Sequence, residues 1–60
     1  MLANYIVLIN NKLADARNFP ELRDIVLNDA TFFWRKAALD YQQTLIEKLP
    51  TSIRVELRDL

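Results

Sequence analysis

The chain has 60 residues, 52% of them hydrophobic, with eight basic and eight acidic side chains and a net charge of zero. A chain this short buries only about 60% of the surface its unfolded form exposes, so small domains usually rely on a disulfide, a metal or a partner chain. With no cysteine and no histidine, disulfides, thiolate chemistry and the usual zinc ligands are excluded, and a partner chain is the remaining staple.

In chain order, the first expected element is a helix over residues 2–17. Leu2, Ile6, Ile9, Leu13 and Ala16 recur at spacings of four and three, an a/d-like stripe. A strand is the rival for 4-NYIVLI-9, which is rich in β-branched and aromatic residues, with Asn10-Asn11 as a turn. No second strand is evident to pair with it, and helix is preferred.

Asn18-Phe19-Pro20 breaks the chain, and proline suits the first position of a second helix over 20–28. Glu21 lies in its first turn, where the helix dipole favours a negative charge. Leu22, Ile25, Val26 and Phe33 share a face, and Asp29 either interrupts it or caps the next helix. A third helix spans 30–49, with Trp34, Ala38, Tyr41, Leu45 and Leu49 as its stripe. Asp40 and Gln43 resemble a capping box that could restart it, but the alanines and leucine of 35–39 favour one continuous helix. Pro50 ends it. The last helix, 52–60, turns Ile53, Leu57 and Leu60 inward and Arg54 and Arg58 outward, with Glu56 and Asp59 offsetting the repulsion between the arginines. The expected fold is therefore all-α, a single domain over 1–60 with three to four short helices in a small bundle or helix-turn-helix array.

Little in this composition can catalyse. The single serine, Ser52, has no histidine to activate it and suits a helix start. The carboxylate pairs Asp24 with Asp29, and Glu56 with Asp59, sit beside arginines as ordinary surface charge. A bundle di-metal site would need Glu-x-x-His motifs. No enzyme activity, cofactor or metal is expected. Zero net charge disfavours nucleic acid as the partner, leaving a helix-turn-helix DNA binder around Asn28 as a minor alternative. The apolar run 5-YIVLI-9 is far short of the ~20 residues of a membrane span, so the expected compartment is the cytoplasm, with any membrane association through a partner.

The most distinctive feature is 32-FFW-34. On a helix, three consecutive aromatics cover about 200° of the circumference, more than so small a chain readily buries. Large aromatics are enriched at interface hot spots, and Arg35-Lys36 would supply a polar rim; the equal alternative is that two of the three rings form core and one lies half exposed. The expected interaction residues are Phe32, Phe33, Trp34, Ile53, Leu57 and Leu60, and the expected partner is another protein chain, as a homo-oligomer or within a larger assembly. The expected function is that of a non-enzymatic interaction or oligomerisation module, a small regulator or adaptor.

The segments 19-FPELRDIV-26, Trp34 and 45-LIEKLPTSIRVEL-57 together resemble the C-linker of cyclic-nucleotide-regulated cation channels. Phe19-Pro20 opens one helix of that pattern, 32-FFW-34 supplies its aromatic stretch, and Leu49-Pro50 precedes an apolar-Arg-x-acidic-apolar helix at Ile53, Arg54, Val55, Glu56 and Leu57. The similarity covers residues 19–60 and departs from the family at 35–40, where a connection is replaced by helix-forming sequence. It implies a coupling segment of a channel or sensor, assembled as a ring of four. Leu22, Trp34, Ile53 and Leu57 would hold its packing, and Arg54, Glu56 and Arg58 would be candidates for ion pairs, the first two between subunits.

Overall fold

The computed structural model describes residues 3–60, so Leu2, the first residue of the expected stripe, lies outside the described residues. The fold is α/β, which corrects the all-α expectation. Strands β1 (Tyr5–Ile9), β2 (Lys12–Leu13), β3 (Thr31–Phe32) and β4 (Val55–Asp59) form one antiparallel sheet, and the helix α1 (Arg35–Lys48) covers one of its faces.

The expected helix over 2–17 is a β-hairpin. The β-branched run of β1 favours a pleated, half-buried surface, and Asn10 and Asn11 both have positive φ, 50° and 71°. Two consecutive residues in that region make the tight turn whose twist matches paired strands, and asparagine tolerates it best after glycine. The second strand escapes sequence inspection because it is only two residues long, pairing Leu13 with Leu8 and Lys12 with Ile9. The main partners of β1 come from distant sequence. β4 pairs along its whole length, from Tyr5 opposite Asp59 to Ile9 opposite Val55, and β3 pairs Phe32 with Tyr5 and Thr31 with Ile6.

β2 and β3 share one edge of β1. The N–H of Val7 donates to the carbonyl of Ala30 (3.1 Å), and its own carbonyl accepts from the N–H of Ala14 (2.9 Å). Val7 thus sits where the two short strands meet, and β4 holds the opposite edge alone.

Residues 14–30 leave the sheet as a loop. In place of the second helix, Pro20–Leu22 form a single 3-10 turn, proline at its start as expected, followed by further turns. The loop's legs meet where Asp15 bridges Leu27, and Ala16 N–H donates to the Leu27 carbonyl at 2.9 Å. Asp29 does not cap a helix. Its carboxylate accepts from the backbone N–H and hydroxyl of Thr31 (3.0 and 2.7 Å), turning the chain into β3. With no second helix there, a helix-turn-helix around Asn28 is not formed.

Within the expected third helix, α1 runs without a restart at Asp40, whose carbonyl accepts the Thr44 hydroxyl at 2.9 Å. Ala38, Tyr41 and Leu45 are buried against Val7, Ile9, Ala14, Val26 and Ala30. Alanines at 14, 30 and 38 let helix, loop and sheet approach closely. Tyr41 reaches furthest: its hydroxyl donates to the Ala14 carbonyl (2.5 Å) and accepts from the Leu27 N–H (2.9 Å), pinning both legs of the loop.

The last expected helix is instead β4. Ile53, Val55 and Leu57 alternate with Arg54, Glu56 and Arg58, a period of two. The half-buried Ile53, Val55 and Leu57 pack against the core. The helix that the C-linker resemblance implies after Leu49-Pro50 is therefore a strand.

Candidate functional site

Asn4 ties together residues far apart in sequence. Its N–H donates to the Phe32 carbonyl (2.9 Å), its side-chain amide to the Phe33 carbonyl (3.1 Å), and its own carbonyl accepts the Leu60 N–H (2.9 Å). Because Phe32 lies opposite Tyr5, its side chain faces α1, and its ring lies 5.5 Å from that of Tyr41. Continuing the alternation turns Phe33 and Leu60 to the far face of the sheet, one on each side of Asn4. Phe33 and Leu60 are exposed, as is Trp34 at 69%, and the Phe33 and Trp34 rings meet edge to face at 4.8 Å. Of the six expected interaction residues, Phe32, Ile53 and Leu57 pack against the core, while Phe33, Trp34 and Leu60 gather at one end of the sheet.

Glu56 and Arg58 stand on one face of β4, and Arg54, just before the strand, lies beside Glu56. Glu56 takes Arg54 at 3.7 Å and Arg58 at 3.4 Å, so these pairs lie within one short segment of the chain. Arg54 is mostly in water, and such pairs are worth about 0–1 kcal/mol. Beneath them Leu8, flanked by Leu13 and Glu56, is almost fully buried. One carboxylate oxygen of Glu56, Oε1, is shielded from water and has no hydrogen-bond donor among the described residues. Glu56 and Asp59 face opposite sides of the strand and form no carboxylate pair.

The outer edge of β4 was not anticipated from the sequence. Asn10 N–H donates to the Arg54 carbonyl (3.0 Å) at one end of the ladder, and Leu60 N–H reaches Asn4 at the other. Even-numbered residues of β4 therefore point their backbone groups at β1, and Val55, Leu57 and Asp59 point theirs outward. Among the described elements, no strand pairs with that edge. Gln42 reaches it, its side-chain amide donating to the Val55 carbonyl at 3.1 Å. Leu39 and Ile46 flank Gln42 at helical spacing and are exposed, so an apolar helix face lies beside the open edge. The alternation over 53–58 was the available signal for the strand, and the seven-residue spacing of Leu39 and Ile46 the signal for that face.

Among the described residues, no cluster of acidic side chains is arranged to hold a metal ion, and no ligand-sized cavity opens. No helix is long and apolar enough to cross a membrane. Comparison with protein-family models, curated proteins and solved structures returned no match.

Proposed function

We propose that this chain is a non-enzymatic protein–protein interaction module that works by self-association, as a small regulator or adaptor in the cytoplasm. The observation that carries this reading is the exposure of Phe33, Trp34, Leu39, Ile46 and Leu60, grouped at one end of the sheet and along one side of the helix. Clustered exposed apolar side chains on a small domain mark contact sites, and in a chain this short such contact also supplies missing stability. The test is the solution mass by light scattering from about 1 μM to about 1 mM, a range that covers weak to firm association. A mass that climbs from one chain toward a fixed multiple supports the reading. A single-chain mass throughout overturns it.

A further inference from the structure

We propose that the partner is a second copy of this chain, added antiparallel along the outer edge of β4 about a two-fold axis at Leu57, giving one continuous eight-stranded sheet. This rests on the self-association reading and names its seam.

The backbone sets the phase. Val55, Leu57 and Asp59 present outward N–H and C=O groups, and a two-fold at Leu57 makes Leu57 face its own copy as a hydrogen-bonded pair. Val55 then faces the copy's Asp59, and every outward group of the three residues finds a partner. The Val55 carbonyl already receives Gln42, but a carbonyl oxygen accepts two hydrogen bonds.

The charged side chains on the face away from α1 agree with that register. Glu56 falls opposite Arg58 of the second copy, and Arg58 opposite its Glu56, on the face away from α1. Opposite charges placed directly across an antiparallel pair stabilise it, and like charges destabilise it. Moving the two-fold by one residue sets Glu56 against Glu56 or Arg58 against Arg58, and moving it further leaves most of β4 unpaired. The register at Leu57 also brings a further guanidinium to Glu56, whose Oε1 has Arg54 at 3.7 Å but no hydrogen-bond donor among the described residues. On the other face, α1 leans over this edge through Gln42, so pairing would bring Leu39 and Ile46 toward the same helix face of the second copy. An unpaired edge of this kind is a ready template for strand addition.

The test is sedimentation velocity on the full chain and two charge reversals, E56R and R58E, with circular dichroism to confirm folding. Wild type should dimerise, and each reversal should weaken dimerisation at least tenfold, about 1.4 kcal/mol. Mixing the two variants should restore the dimer, because the mixed pair sets two arginines opposite two glutamates. A synthetic chain N-methylated at the Leu57 amide loses an outward donor and no bond to β1, and should also be monomeric where wild type is dimeric. Reversals that dimerise as well as wild type, or a mixture that fails to recover, would overturn the β4 seam while leaving self-association standing. A wild-type chain that stays monomeric would overturn both.

Discussion

The hydroxyl of Tyr41 is a single atom that holds the loop of residues 14–30 to the helix, and Tyr41→Phe tests it with almost no change in shape. The phenyl ring would keep its place beside Phe32, 5.5 Å away. What goes is a donor to Ala14 and an acceptor for Leu27. A hydrogen bond contributes about 0.5–1.5 kcal/mol net, and a buried group left without its partner costs about 1–3 kcal/mol. The Ala14 carbonyl is enclosed by the core, whereas Leu27 lies at the surface, where water can replace the lost acceptor. The expected loss is therefore about 2 kcal/mol, within the range for two bonds of which one is rescued by solvent. A chain of this length has a total stability of about 3–9 kcal/mol, so the loss is a large fraction of it. It corresponds to a fall in Tm of about 8–16 °C. The assay is urea unfolding followed by circular dichroism, at matched protein concentration because association adds to apparent stability. The midpoint should fall with the slope unchanged. A difference under about 0.5 kcal/mol, no larger than an ordinary surface substitution, would refute the idea that this hydroxyl secures the loop.

Other expectations follow from the same contacts. Burial raises the Tyr41 phenol pKa above its usual value, with the Leu27 N–H opposing the shift and Asp15 adding to it. The folded state therefore holds this proton more tightly than the unfolded chain. Its contribution is fully present below the unfolded value of about 10 and is lost as pH rises through the folded value; alkaline unfolding should show this loss, and Tyr41→Phe should abolish it. Leu45→Ala removes a fully buried side chain and should cost about 2–5 kcal/mol in the same urea assay. Asn11→Gly relieves a positive φ in the position where this hairpin turn favours glycine, and should raise stability by up to about 1 kcal/mol, read as a higher Tm.

The helix α1 was legible because its determinants are local. Ala38, Tyr41 and Leu45 recur at helical spacing in a stretch of good helix formers, and Pro50 lies just beyond. The sheet was obscured because its pairings are not local. β1 has one neighbour close by, a two-residue strand, and its long partner begins at Val55. Residues 53–58 satisfied two periods at once: Ile53 and Leu57 fit a helix, while the full alternation of Ile53, Val55 and Leu57 with three charged residues fits a strand. Four-residue spacing satisfies both patterns, and the intervening Val55 decides between them. The aromatic triplet shows how fold changes the meaning of a site. On a helix its rings would fan around the axis; in β3 Phe32 turns inward to Tyr41, and Phe33 and Trp34 remain in water. Arg54, Glu56 and Arg58 were recognised as an ion-pair set, but as a strand face they meet within one chain.

Amide hydrogen exchange by NMR, measured residue by residue at low and high protein concentration, tests the dimer seam most directly. Glu56 and Arg58 donate to β1 within the chain and should be protected at both concentrations. Val55, Leu57 and Asp59 point away from β1, so their amides should exchange quickly when dilute and gain protection together as concentration rises. Exchange at those three positions that stays fast and independent of concentration, while the chain associates, would contradict pairing along β4.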